Sequence, residues 1–497
     1  MLKRKHIGII GSGVSGLSAA ATLASKGYNV SVLEKNDQLG GRLRQFKEQG
    51  FTFDMGPSWY WMPDVFEKFF NSFNHTTSDF YKLVKLDPGF QVIFKNSEAI
   101  QIPASWDQLL QLFESIEVGA ADNLKKFMLG AEYKYHVGIN DLVYKPGRSF
   151  SELITSQTLK GFFKLQLFSS FSSHVRKYFK DERLIALMEF PVLFLGAKPS
   201  DTPALYSLMN YSGLKQGTFY PLEGFSKITD AMVQIGKENG AQYFTSEAVT
   251  SINYTDQINI KTITRTINVD GMIASADYQH VDAKLLQPGL NNYDESYWKT
   301  KTFAPSCLIF YLGINKKLDK LQHHNLFFDE DFETHANDIY TTPRWPSNPL
   351  FYVCCPSKTD PSVAPLGSEN LFILMPIAAG LEDDGTMRFE YFKKLLQRLE
   401  KFTNETIEQN IVFQRSYCVK DFEKDYNSYK GNAYGLANTL MQTANFKPKM
   451  YNKNIKNFYY AGQLTVPGPG VPPAIISGQV AAAEMIKNLK YTNETVI

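Results

Sequence analysis

The chain opens on a short unbroken apolar run, "HIGII" (6–10), followed by a turn rich in glycine and then by "LSAAATLASKG" (17–27). A run this short, with no polar alternation, reads as a strand buried on both faces. The Ala-rich stretch is strongly helix-forming and stops at Gly27, a residue suited to the position just past a helix end. "YNVSVLE" (28–34) then reads as a second buried strand. The order strand, turn, helix, strand predicts an α/β fold. From about residue 66 to 211 the pattern is mainly helical. From Gly217 it returns to turn, helix, strand, strand. "PSCLIFYLGINKKLDKLQHHNLFF" (305–328) reads as strand, loop, strand, and "KNFYYAG" (456–462) as a strand leading through a Gly/Pro loop into another Ala-rich helix. The longest apolar runs, "FPVLFLGA" from Phe190 and "LFILMPIAAGL" from Leu371, fall well short of the roughly 18–20 residues that cross a bilayer.

The first turn carries Gly11-Ser12-Gly13-Val14-Ser15-Gly16. A G-x-G-x-x-G match is weak alone and becomes specific between a strand and a helix. Gly11 permits the tight turn, Gly13 lets a pyrophosphate reach the backbone, and Gly16 lets helix and strand pack closely. The helix start then offers free N–H groups and a positive dipole end. Glu34 ends the second strand about twenty residues on, where a carboxylate binds ribose hydroxyls and repels a 2′-phosphate. These residues point to a dinucleotide other than NADP.

"LGGR" (39–42) goes beyond a plain NAD-binding unit and resembles the FAD-binding group that includes amine oxidases, protoporphyrinogen oxidase and carotenoid desaturases. In that group Gly-Gly-Arg wraps the cofactor, so FAD is the expected cofactor. The resemblance extends along the chain. The turn Asp54-Met55-Gly56-Pro57-Ser58 looks like the loop placed close to the flavin. Val249 corresponds to the backbone that meets the adenine. Ala276-Asp277 matches a characteristic strand end, and Gly462 with Gly470-Val471-Pro472 matches the final flavin-facing motif. The expected cofactor-binding set is Gly11, Ser12, Gly13, Val14, Ser15, Gly16, Glu34, Lys35, Gly41, Arg42, Leu43, Gly56, Pro57, Ser58, Val249, Asp277, Gly462, Gly470, Val471 and Pro472.

Composition adds limits. Length 497 suits two or three domains at roughly 100–200 residues each. With 52 basic and 50 acidic residues, the charge balance gives no electrostatic case for nucleic acid. Aromatic content of 14% fits large aromatic cores or a long apolar channel. The four cysteines (Cys307, Cys354, Cys355, Cys418) form no C-x-x-C pair and suit a reducing cytosol. No signal-peptide pattern leads the chain. His323 and His324 look like a metal pair, but neighbours on a strand point to opposite faces, so no metal site is expected. Between residues 149 and 190, Phe recurs among Lys160, Lys164, Arg176, Lys177, Lys180 and Arg183. Such a segment either caps the core with a solvated basic face or lies on an anionic membrane surface.

Several segments are similar to one family within the group: "FDMGPSWYWMPDVFE", "MEFPVLFLGAKPSDTPALYSLMNY", "LQHHNLFF", "LFYVCCPSKTDPSVAPLGSENLFILMPI", "YKGNAYGLANTLMQTANFKPK" and "YYAGQLTVPGPGVPPAIISGQ". The chain resembles bacterial carotenoid desaturases of the phytoene desaturase type, in their flavobacterial branch. The resemblance implies an α/β protein with a Rossmann-like FAD-binding domain of the glutathione reductase/amine oxidase type. It implies a mixed-sheet substrate domain and a helical cap that can touch a membrane. The FAD-binding domain is expected from 1–75, 215–290 and 440–497, the substrate domain from 76–214 and 291–439, with the cap around 115–212. It further implies stepwise desaturation of phytoene to lycopene, a long apolar carotenoid substrate, oxygen or a quinone as electron acceptor, and a cytoplasmic protein peripheral on the membrane. Desaturation of a later carotenoid, such as a 3,4-desaturation, and carotenoid isomerisation are the alternatives. A lipid-binding chaperone of the kind that extracts prenylated GTPases shares the architecture, but has no need of the intact glycines, Glu34 and Arg42. Two positions depart from the pattern. Gln463 stands where many flavoproteins carry Asp, and Val466 precedes Pro467 where these desaturases often carry His. No catalytic residue is identified.

Overall fold

The computed structural model describes residues 4–95, 98–153 and 169–494. Lys160 and Lys164 of the basic Phe-rich segment lie outside the described residues. Two sheets organise the chain. The first is fully parallel, with strands in the order Phe458–Tyr460, Gly271–Ala274, His6–Ile10, Asn29–Leu33, Gln242–Phe244. The opening run is thus its central strand, and its neighbours come from stretches more than 200 residues apart. Burial on both faces explains the absence of alternation in "HIGII": four of its five residues are buried.

The second sheet has seven strands, in the order Ile411–Tyr417, Ser306–Ile314, Glu369–Ile377, Phe351–Cys354, His324–Phe327, Phe90–Ile93, Ala99–Ile102. Its pairings are antiparallel except that between His324–Phe327 and Phe90–Ile93. The two long central strands, Ser306–Ile314 and Glu369–Ile377, pair along nine residues. The amphipathic helix Gly385–Thr403 packs on one face through Tyr391, Leu395 and Leu399. A separate antiparallel meander, Val249–Tyr254, Ile258–Thr262 and Thr266–Val269, lies beside the parallel sheet. Helices Trp106–Ile116, Ala120–Asn140 and Glu182–Glu189 lie in the stretch read as mainly helical, but that reading began too early: Leu83–Lys85, Phe90–Ile93 and Ala99–Ile102 are strands, the last two at the edge of the mixed sheet. Part of the helical region's basic face is neutralised locally: Arg176 pairs with Glu182, and Arg183 with Asp181 and Glu98. Among the described residues no helix is long and apolar enough to cross a membrane.

The helix Val14–Ser25 is clamped between the parallel sheet and the C-terminal helix Val471–Glu494. Small residues make the fit possible. A β-carbon on Gly16 would stand 2.1 Å from the Gly11 carbonyl oxygen, and one on Gly478 would stand 2.2 Å from the Ser15 carbonyl oxygen. The Ser18 hydroxyl donates to the Ile475 carbonyl across the same contact, at 2.7 Å. Gly478→Val is expected to destabilise the protein by about 3 kcal/mol, because backbone cannot yield as a side chain can. Thermal unfolding of the variant checks this.

One cation is buried at a cost. Lys447 is 3% exposed and its ammonium has no hydrogen-bond partner among the described residues. Burial pulls its pKa from 10.5 down to about 7. Above the unfolded value both states are neutral and nothing is lost. As pH falls from 10.5 toward 7 only the unfolded chain takes the proton, so stability falls. By pH 7 the loss is on the order of 4 kcal/mol. Lys447→Met is therefore expected to be the more stable protein at pH 7 and to show a flatter stability profile between pH 7 and 10.5. Denaturant unfolding across that range checks the sign.

Candidate functional site

The carboxyl ends of the parallel strands open onto a cavity of about 630 Å³, and Ile10, Leu33, Ser275 and Ala461 form its floor there. That is where open α/β sheets hold ligands. Gly11 turns the chain with a φ of +89°, a conformation other residues resist. The helix beginning at Val14 has Gly13 as its N-cap, no capping side chain and no acid in its first turn. Its positive end is left for an outside partner, and the space beside Gly13, where a β-carbon would stand, is empty.

Eighteen of the twenty expected residues line this one cavity. Gly11, Gly13, Val14 and Ser15 come from the first turn, and Glu34 and Lys35 from the end of the second strand. Gly41, Arg42 and Leu43 come from the Gly-Gly-Arg turn, and Gly56, Pro57 and Ser58 from the turn after it. Val249 and Asp277 flank the first end, while Gly462, Gly470, Val471 and Pro472 close the other side. Ser12 and Gly16 are not in the lining. Gly16 works in packing, as its spacing predicted. Ser12 lies underneath: its amide and hydroxyl both donate to Glu34 Oε2, at 2.9 and 2.7 Å. The other Glu34 oxygen accepts from the amide and side chain of Asn36, at 2.9 and 3.0 Å. The carboxylate is thereby fixed in direction while remaining at the cavity wall.

Two charged groups sit deep in this wall. Arg42 reaches the Asn432 carbonyl at 3.3 Å and lies 4.7 Å from the Tyr426 ring centre, yet its Nε is buried without a hydrogen-bond partner among the described residues. Burial lowers its pKa. Asp277 accepts from the His280 amide at 3.1 Å, and burial raises its carboxyl to about 6. An orphaned guanidinium nitrogen, an uncapped helix end and a fixed carboxylate form a donor and acceptor set suited to a dinucleotide.

The cavity continues into an apolar half that the motifs do not announce. Leu326, Tyr352, Leu374 and Ile309 are successive partners across four strands of the mixed sheet, and all four face it. Phe332, Ala336, Ile339 and Tyr340 line it from one side of the helix Phe332–Tyr340. Trp59, Trp61 and Phe190 add aromatic surface. His335 also lines it, but it is no free base. Its Nε2 lies 2.9 Å from the Pro376 carbonyl oxygen, its Nδ1 accepts from the Leu350 amide at 2.9 Å, and burial lowers its pKa to about 4. The apolar strands were visible in the sequence, but nothing there says which face of a doubly buried strand meets a cavity.

The reading of His323 and His324 needs correction. The strand is His324–Phe327, so His323 lies just before it and the alternation rule does not separate the pair. Their ring centres are 4.5 Å apart.

Comparison with known proteins agrees with this geometry. The sequence profile of the flavin containing amine oxidoreductases matches residues 14–486. The chain is 38% identical to a carotenoid 3,4-desaturase of Haloarcula japonica over 98% of this chain and 99% of that one. It is 28% identical to a zeta-carotene-forming phytoene desaturase of Myxococcus xanthus, over 97% and 94% of the two chains. Among solved structures, an oxidoreductase from Methanosarcina mazei superposes with a TM-score of 0.64 at 16% identity, covering 97% of this chain and 100% of that one. Cyclohexylamine oxidase from Brevibacterium oxydans superposes at 0.61 and 14% identity, covering 98% and 100%. The chain therefore belongs to the flavin containing amine oxidoreductases, in their carotenoid desaturase branch, and is an FAD-dependent oxidoreductase.

Proposed function

We propose that this enzyme desaturates a carotenoid at its 3,4 position, a later step than the phytoene-to-lycopene conversion that the sequence resemblance puts first. The observation that carries the choice is 38% identity, end to end, with a carotenoid 3,4-desaturase, against 28–29% with the phytoene and diapophytoene desaturases. Stepwise phytoene desaturation is the second reading, supported by those same lower matches.

The residues that would hold FAD follow from the donor set. The amides at Gly13–Ser15 would face the pyrophosphate, Glu34 would take the ribose hydroxyls, and Arg42 with Gly41 and Leu43 would close over the cofactor. The Gly56-Pro57-Ser58 turn and the Gly470-Val471-Pro472 helix start would border the flavin. These belong to a discontinuous FAD-binding unit of 1–75, 215–290 and 440–497. Bound flavin supplies the hydride acceptor for breaking a C–H bond. A carotenoid hydrocarbon chain offers little for hydrogen bonds, so the row Leu326, Tyr352, Leu374 and Ile309 holds it by burial, at about 25 cal/mol per Å². The same apolar walls exclude water from the reacting carbons. Electrons leave to oxygen or a quinone, and the enzyme works at the surface of the membrane that stores its substrate.

Two measurements test this. Glu34→Ala is expected to weaken FAD binding about 10–100-fold, read from flavin absorbance of the purified protein. Wild-type enzyme given FAD and carotenoids in liposomes is expected to add a 3,4 double bond to a later carotenoid and to leave phytoene unchanged, read by chromatography and absorption spectra. Conversion of phytoene to lycopene would establish the second reading instead.

A further inference from the structure

His324 and Cys354 are direct partners across the antiparallel pair His324–Phe327 and Phe351–Cys354, so their side chains rise from the same face of the mixed sheet. His323, one residue ahead of the strand, swings its ring to the same place. One ring nitrogen from each histidine and the Cys354 sulfur all lie within 4.8 Å of one another. The three residues are 4%, 0% and 1% exposed.

The hydrogen bonding around this cluster is lopsided. His323 Nδ1 lies 2.7 Å from the Thr359 hydroxyl, and His324 Nδ1 lies 2.6 Å from the Tyr352 hydroxyl. Both Nε2 atoms are buried with no hydrogen-bond partner among the described residues. Buried imidazoles with one nitrogen tied and the other orphaned carry an uncompensated desolvation cost. The same pattern is the ordinary state of a metal-bound histidine, whose far nitrogen donates to an outer partner that fixes the tautomer. The rings are held for the task. His324 stacks on Trp59 at 4.1 Å and 9°, and His323 packs on Tyr220 at 4.6 Å. A separate small cavity of about 20 Å³ touches Cys354 from its other side, against Ser58, Tyr220 and Asp54, and neither histidine lines it.

We propose that His323, His324 and Cys354 form a closed binding site for one soft d¹⁰ cation, Cu(I) or Zn(II). Thiolate with two imidazoles selects these ions over hard cations. Binding replaces the Cys354 thiol proton by the metal and releases that proton to solvent, with no change of oxidation state. Charge and coordination number favour Cu(I): one thiolate neutralises it, and three ligands satisfy it, whereas structural zinc takes four. The ion would brace the wall of the large cavity, because His324 supports both Trp59 and the Tyr352 hydroxyl, which in turn lies 2.9 Å from Ser58. The proposal does not depend on which carotenoid the enzyme takes.

The test uses the full-length FAD-loaded enzyme. It is produced with added zinc or copper, exposed anaerobically to Zn²⁺ or Cu⁺, desalted, and measured for metal by mass spectrometry. About one ion per chain is expected, with X-ray absorption showing one sulfur near 2.3 Å and two nitrogens near 2.0 Å. Cys354→Ala and His323→Ala are each expected to cut retention at least tenfold while keeping their flavin absorbance. The absorption measurement on the wild type carries the test if either variant fails to fold. Wild-type enzyme retaining less than about a tenth of an equivalent of both metals, or a metal site without sulfur, would overturn the proposal.

Discussion

The Gly11 carbonyl oxygen lies 2.1 Å from where a β-carbon on Gly16 would be, and the Ser15 carbonyl oxygen lies 2.2 Å from the same point on Gly478. These two close approaches press the first helix against the parallel sheet on one side and the C-terminal helix on the other. Their consequence is positional. Val14 and Val471, the first residues of those two helices, both reach the large cavity. Two positive helix ends are thus aimed at one space, at the carboxyl ends of the parallel strands. Chain ends more than 450 residues apart meet there because a hydrogen atom stands where other residues carry carbon.

The cavity divides into two solvents. Around the glycine turns, Glu34, Arg42 and Asp277 present charge and directed hydrogen bonds. Across the mixed sheet, Leu326, Tyr352, Leu374 and Ile309 present a row of carbon. FAD carries phosphates and ribose hydroxyls along one part and a planar ring system at the other, and a carotenoid chain is almost wholly apolar. Each half of the wall is suited to one of these chemistries. The cost of the arrangement is visible in groups that burial disfavours: the Arg42 guanidinium and the Asp277 carboxyl. Such costs collect beside functional sites, where binding rather than folding sets the requirement.

The parallel sheet was legible in the sequence because its signal is local. A short apolar run, a glycine turn and an Ala-rich helix lie within thirty residues, and each specifies its own conformation. The G-x-G-x-x-G spacing gives Gly11 a turn and Gly16 a close approach, and both are seen in the fold, although Gly16 also stood in the expected cofactor-binding set and lies outside the cavity lining. Gly462 and Gly470 were found by the resemblance, since a loop at the far end of the chain carries no local mark of the partner it meets.

What the tertiary structure alone decided is which faces meet. "SCLIFYLGI" is buried along its whole length, so no alternation distinguishes Ile309, which faces the cavity, from its neighbours. The alternation rule for strand interiors separates His323 from His324, yet the strand begins at His324, and a ring nitrogen of each lies within 4.8 Å of the sulfur of Cys354, which pairs with His324 across the sheet. Periodicity reports how a segment relates to water. It is silent on which protein surface replaces that water, because cross-strand register and helix docking are settled by contacts between residues tens to hundreds of positions apart.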